Sequence, residues 1–274
     1  MREPPRDVSA QLAAQMYLGG LSAQIGWLIF GFGSIFFWAF AWHADLSGWR
    51  FSEGKIARVT GEILNCRQTS YASDEEPVYA NEYHYMVGAE SIGGVSYATG
   101  ECASGQVTVE YVIGAPDVSR IAGMRRDVMG PWVILVALLP IAGLVPVVLG
   151  LRKGKLRVAL LRDGVVAHGR VIAKSATASE TMGRRDYRIT VGYSARDGRP
   201  GEVTVRSNRP EQFDGDTPVL YDPRNPERAL PMVALPGRIS EDPTGRLSSG
   251  SAVRYFLLPI LSLLINAGFA WRIG

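Results

Sequence analysis

Three stretches of this chain carry no charged residue: QIGWLIFGFGSIFFWAFAW from Gln24 to Trp42, PWVILVALLPIAGLVPVVLGL from Pro131 to Leu151, and YFLLPILSLLINAGFAW from Tyr255 to Trp271. A helix crosses a bilayer core with about 20 residues, roughly 17–25, so all three are long enough, the last at the short limit. A helix in lipid satisfies its own backbone hydrogen bonds, which makes such blocks stable there. Pro259, Ser262 and Asn266 leave the third block open to a second reading, a buried helix of a soluble protein. Trp27, Trp38, Trp42 and Trp132 lie near block ends, as in the aromatic belts of membrane proteins. The triplet Ala39 to Ala41, AFA, looks like a signal-cleavage site, but a long polar and mixed segment precedes the run, so a retained anchor is expected. The chain therefore divides into an N-terminal segment (1–23), a first span (24–42), a polar segment (43–130), a second span (131–151), a second polar segment (152–250), and a third span with the C-terminus (251–274).

Charge orients these blocks. Arg152, Lys153, Lys155, Arg157 and Arg162 follow the second block and form the densest basic cluster in the chain. Basic residues near spans favour the cytoplasmic side, which puts the N-terminus and 152–250 inside and 43–130 outside. Arg50, Lys55, Arg58, Arg120, Arg125 and Arg126 weigh against this orientation. Two features support it. Residues 44–130 hold 7 basic and 12 acidic side chains, whereas 152–253 hold 18 basic and 12 acidic, so a whole-chain charge of +3 conceals segments of opposite sign. Both cysteines, Cys66 and Cys102, fall in the acidic segment. Paired cysteines persist in oxidising compartments; two free buried thiols are the other reading.

The two polar segments repeat one another. VTVEYVIGAPDVSRI (Val107 to Ile121) lines up with TPVLYDPRNPERALP (Thr217 to Pro231), setting Tyr111 over Tyr221 and Pro116 over Pro226, with Gly105 over Gly215 just before. Upstream, RVTGEILNC sets Gly61 over Gly169 of VAHGRVIAK. NEYHYMVGA and RDYRITVGYSA both alternate apolar with polar, the period of a half-buried strand, and glycine-rich turns follow each. Each segment thus reads as four or five short antiparallel strands without helix outside the membrane, closed by the repeated phrase as last strand and turn. Asp222-Pro223 and Asn225-Pro226 are expected to end the ladder, since proline removes a donor.

These motifs, best preserved in LLRDGVVAHGRVIAK (Leu160 to Lys174) and DTPVLYDPRNPERA (Asp216 to Ala229), resemble domain of unknown function family 3592, and the first segment departs from them at YVIGAP. The resemblance implies mainly bacterial membrane proteins built on small β modules, with no established activity. It gives an expected fold class, an integral membrane protein with three transmembrane α-helices plus two related small antiparallel all-β, barrel- or sandwich-like domains. The expected location is a bacterial inner membrane.

Chemistry is sparse. His43, His84 and His168 are the only histidines; the first sits at a membrane edge and the other two fall in different segments. No Cys-x-x-Cys or His-Glu-x-x-His spacing occurs, so neither metal nor cofactor is expected. Cys66 with His84 is the one nearby thiol–imidazole pair, and a strand cysteine far from a helix N-terminus is expected to be inert or bonded. SDEEP (Ser73 to Pro77) reads as a solvated hairpin tip, and GFGS (Gly31 to Ser34) lies inside a span rather than in a nucleotide loop. Gly26, Gly31 and Gly33 suit close helix packing. Arg184, Arg185, Arg188, Arg206 and Arg209 form a basic surface suited to anionic lipid or acidic protein, with Tyr187 and Tyr193 the only aromatics among them. Nucleic acid is not the expected partner. The expected function is non-enzymatic: a binding, scaffolding or assembly component of a membrane complex, meeting the bilayer and other membrane or cytoplasmic proteins. The alternative is a sensor coupling the two modules through a second helix kinked at Pro140 and Pro146; an enzyme is disfavoured.

Overall fold

The computed structural model describes residues 1–73, 75–181, 183–213, 215–250 and 253–273. They form two compact units, residues 1–31 with 141–268 and residues 32–140 with 269–274. Three helices are long and apolar enough to cross a membrane, Leu21–His43, Pro131–Asp163 and Val253–Arg272, and each polar segment folds into a five-stranded antiparallel sheet.

The chain opens with α1 (Ala10–Leu18) and α2 (Leu21–Ala39). Ser9 caps α1 by accepting the Leu12 N–H at 3.2 Å. The first module follows, with a short helix α3 (Gly48–Glu53) and strands β1 (Ile56–Ser73), β2 (Glu76–Val87), β3 (Glu90–Thr99), β4 (Gln106–Val112) and β5 (Ala115–Ile121). A 3-10 stretch, Pro131–Ala137, leads into α4 (Leu138–Asp163). The second module holds β6 (Val165–Thr181), β7 (Arg184–Ser194), β8 (Pro200–Ser207), β9 (Asp216–Asp222) and β10 (Asn225–Pro231). A small hairpin, β11 (Ile239–Glu241) and β12 (Leu247–Ser249), precedes α5 (Val253–Ile273); Ser251, Ala252 and Gly274, at the ends of the third expected span, lie outside the described residues.

Several elements differ from the sequence reading. Helix α1 lies in the N-terminal segment, for which the sequence predicts no element, and α3 lies in a segment that reads as strands without helix. Helix α4 continues to Asp163, through the basic stretch that the sequence assigns to the start of the second module. Strong helix formers extend it, and Leu160 and Leu161 bury there with Leu12 and Met16 of α1 and Leu220 of β9. Arg6, itself buried, donates to the carbonyls of Leu161 (3.0 Å) and Gly164 (2.9 Å) and so satisfies the end of α4. Burial lowers the Arg6 pKa while the nearby Glu241 charge raises it, with burial the larger effect.

The sheets are register-equivalent copies. Their orders are β3-β2-β1-β4-β5 and β8-β7-β6-β9-β10. Gly61 pairs with Tyr85 and Val107, just as Gly169 pairs with Tyr193 and Thr217. Both long first strands break register at the same places, between Ile63 and Asn65 and between Gln68 and Ala72 in β1, and between Val171 and Ala173 and between Ala176 and Glu180 in β6. Such irregularities bend a strand and tighten its twist, letting one strand pair on both sides of a curled sheet. In the first module the edges meet: Tyr97 of β3 exchanges backbone bonds of 2.8 and 3.0 Å with Arg125, just past β5.

The repeated phrase is the last two strands of each sheet and their hairpin rather than a last strand and closing turn. Val112 pairs with Ala115 and Asp222 with Asn225, leaving Ile113-Gly114 and Pro223-Arg224 as two-residue turns. Pro223 stands in the turn where β9 ends, as expected, but Pro226 does not end the ladder. Pro226 falls in the irregular stretch between Asn225 and Ala229 on the edge strand β10, where no amide is required of it.

Within the apolar helices, small residues set the contacts. A Cβ on Gly26 would sit 2.8 Å from the Gly143 carbonyl and from Val147 N, and one on Gly33 would sit 2.7 Å from Pro140 N. Backbones this close are the usual role of glycine in membrane helices. Pro259 removes the donor for the Tyr255 carbonyl, four residues earlier, and Gln24 Nε2 of α2 supplies one at 3.0 Å. Pro140 likewise excludes an α-type bond to Val136, and the helix there is 3-10 up to Ala137. Pro146 lies within α4.

Candidate functional site

The residues singled out by the repeat turn out to hold the modules together. An added Cβ on Gly61 would lie 2.7 Å from Val109 Cγ2 and 2.8 Å from the His84 carbonyl, and on Gly169 it would lie 2.7 Å from the Thr217 carbonyl. Gly105 and Gly215 adopt φ of +71° and +78°, which only glycine takes without strain. Tyr111 packs on Tyr85 and Tyr221 on Tyr193, with ring centroids 5.6 and 5.5 Å apart. The Tyr85 and Tyr193 hydroxyls donate to the carbonyls of Pro116 and Pro226, and burial raises both phenol pKa values. Tyr85 stood in a compared strand without being singled out, and Tyr193 was noted only as an aromatic among the arginines; their matching register was the missing signal.

Cys66 of β1 is bonded to Cys102 in the loop before β4, across 36 residues. Closing a loop of that length restricts the unfolded chain by about 4 kcal/mol on the chain-entropy estimate. Asn81 Oδ1 accepts the Ala103 N–H at 2.9 Å and fixes the same loop. Cys66 therefore offers no thiolate to His84. Of SDEEP, Ser73 ends β1 and Glu76 begins β2, whereas Asp74 lies outside the described residues.

The modules diverge on one face. In the first, Glu110 of β4 bridges Arg58 of β1 (2.9 Å) and Arg120 of β5 (3.2 Å), and Arg120 covers the Phe51 ring at 4.2 Å. Burial works against ionisation of Glu110, but the two guanidinium groups outweigh it and hold its pKa below the usual carboxylate value. The matching positions of the second module are Val166, Leu220 and Leu230. There the face is apolar, and Leu220 is buried with α1 and α4 residues.

A polar cluster occupies the end of α2. Asp45 accepts from Ser47 N (2.9 Å) and from Arg126 N (2.8 Å), and His43 Nδ1 stands 3.8 Å from Asp127 Oδ1. Burial opposes the charge on both carboxylates. At Asp45 the hydrogen bonds win and its pKa is lowered; at Asp127 burial wins and its pKa is raised. A cavity of about 560 Å³ nearby is lined by His43, Trp38, Tyr71, Phe269 and Arg272 among others.

The basic residues expected to meet an anionic partner spread along β7 and the end of β8. Arg184 and Arg185 begin β7, Arg188 stands directly opposite Arg206 of β8, and Arg209 follows that strand. All five are exposed, and none is ion-paired among the described residues. Arg206 and Arg209, with Asn208, Gln212 and Phe213, line a cavity of about 460 Å³ that also reaches Leu21, the first residue of α2. Among the described residues, no group of three or more His, Cys, Asp or Glu is placed to hold a metal ion.

No family model matches the chain, and comparison with curated proteins and with solved structures likewise finds no match.

Proposed function

We propose that this chain is a three-span membrane protein acting as a non-enzymatic binding or scaffolding component of a membrane complex. The second module faces the cytoplasm and the first faces the opposite compartment, in a bacterial inner membrane, with the architecture of domain of unknown function family 3592. The observation that supports the reading best is the contrast between two faces of the second module. Its β9 face is buried against α1 and α4 by Leu12, Met16, Leu161 and Leu220, which fixes the sheet to a helix taken to span the bilayer. Its β7–β8 face carries exposed arginines that have no ion pair among the described residues. A rigidly mounted, charged sheet surface is suited to docking an acidic partner or headgroup. The test is purification of the full chain in mild detergent: a scaffold keeps the same neighbours whatever small molecules are present, and a chain that purifies alone from several mild detergents contradicts the reading.

A second reading, a sensor, draws on the cavity at the end of α2, where the β1 residues Ser70 and Tyr71 meet the helix ends beside the His43–Asp127 pair. A ligand there would act on α2 directly. Ligand-dependent protease protection of residues 152–250 would favour this reading over the scaffold.

A further inference from the structure

We propose that the cavity beside Leu21 is a binding site for one anionic phospholipid, its phosphate held by Arg206 and Arg209 and an acyl chain lying along α2. The inference rests on reading α2 as a membrane span.

Depth comes first. Leu21 lines the cavity and also begins the stretch apolar enough to cross a membrane, so the cavity stands at headgroup level. Below it, Leu21, Ile25 and Leu28 are 45%, 44% and 56% exposed, and their spacing of four and three residues puts them on one helix face. That exposed stripe starts at the cavity itself, which is the shape of a lipid: a polar head with its tail directly below.

Charge comes second. Arg188 and Arg206 stand directly opposite on β7 and β8. Opposed like charges destabilise a sheet, and an anion shared between Arg206 and Arg209 relieves that repulsion. Asp186, the carboxylate in the wall, already accepts the hydroxyls of Thr181 (2.8 Å) and Ser179 (3.2 Å). The amide side chains of Asn208 and Gln212 complete the polar side, while Phe213 supplies an apolar wall. A phosphodiester with two acyl chains satisfies both halves of this site, whereas a free anion satisfies only one.

The test is native mass spectrometry of the delipidated full chain in detergent, titrated with phosphatidylglycerol, phosphatidylcholine or inorganic phosphate. The expected result is one phosphatidylglycerol per chain, held more tightly than phosphatidylcholine and not displaced by phosphate. Arg206→Gln with Arg209→Gln should weaken retention about 30-fold, from the loss of two headgroup contacts. Arg224→Gln with Arg228→Gln, which removes the same charge from another part of the module, should leave it unchanged. Equal weakening by both double variants, equal retention of phosphatidylcholine, or displacement by phosphate would each overturn the proposal. Alkaline carbonate extraction tests the membrane reading separately. A chain that resists extraction yet retains no phosphatidylglycerol overturns the lipid site alone, and an extracted chain overturns the span beneath it.

Discussion

A single added methyl group should separate two roles among the four repeat glycines. At Gly169 a Cβ would lie 2.7 Å from the Thr217 carbonyl, from Val191 Cγ1 and from Val219 Cγ2; at Gly61 it would meet Val109 Cγ2 at 2.7 Å and the His84 carbonyl at 2.8 Å. Nonpolar contacts are comfortable at about 3.5–4.0 Å, so neighbours in a paired sheet must move by most of an ångström. A backbone carbonyl cannot rotate away as a side chain can, which puts Gly61→Ala and Gly169→Ala at about 2–3 kcal/mol, the upper part of the overpacking range. Gly105 and Gly215 have nothing within 4 Å. Only their positive φ opposes alanine there, at about 1 kcal/mol. Hydrogen exchange read by mass spectrometry on β2 and β7 peptides resolves the modules separately. The close-approach variants should exchange about 30- to 150-fold faster, and the positive-φ variants about fivefold faster. Each effect should stay within the module that carries the change. If Gly61→Ala and Gly169→Ala exchange no faster than the other pair, the first strand does not cross where its register places it.

Four further outcomes follow from other contacts. Asp45→Asn should destabilise the first module by about 1.5–3 kcal/mol at neutral pH; because the folded pKa of Asp45 is lowered, that difference should shrink as pH falls through the carboxylate range, and a pH-independent loss would refute the assignment. Asp127 has the opposite sign, since its raised folded pKa penalises the charged form above that value; Asp127→Asn should therefore stabilise at pH 7 and lose its advantage in acid, as followed by chemical denaturation. Leu161→Ala, at a site with no exposure, should cost about 2–5 kcal/mol and speed exchange of β9, whereas an unchanged β9 would mean that α4 does not brace the sheet. Gly143→Leu should lower the melting temperature in detergent by the equivalent of about 1–3 kcal/mol; Gly268→Leu, with open space around its Cα, is the control that should not.

The strands and the three long apolar helices were legible because period-two alternation marks a half-buried strand and a long uncharged run leaves a helix no polar face. Gly61 over Gly169 and Tyr111 over Tyr221 were aligned from sequence, and the registers place each pair at equivalent sheet positions. Helix α1 was hidden because only Leu12, Gln15 and Met16 of its nine residues bury, and its Ser9 cap lacks the usual acidic partner three residues on. The extension of α4 was hidden for a different reason: Arg152 to Arg162 reads as a charged flank, and only the partners of Leu160 and Leu161 reveal a core there. Pro226 misled because a donor lost on an edge strand costs little, and edge position is a property of the sheet, not of the local sequence. The arginine surface was legible as composition. Its meeting with Leu21 was not, since those residues are far apart in the chain.

The most direct test of the two-sided account is labelling of Cys66 and Cys102 with a membrane-impermeant maleimide on sealed cells, with and without an impermeant reductant. The account expects labelling only after reduction, from a disulfide-bonded first module exposed outside the membrane. Labelling that requires the membrane to be broken would place that module inside and contradict the orientation.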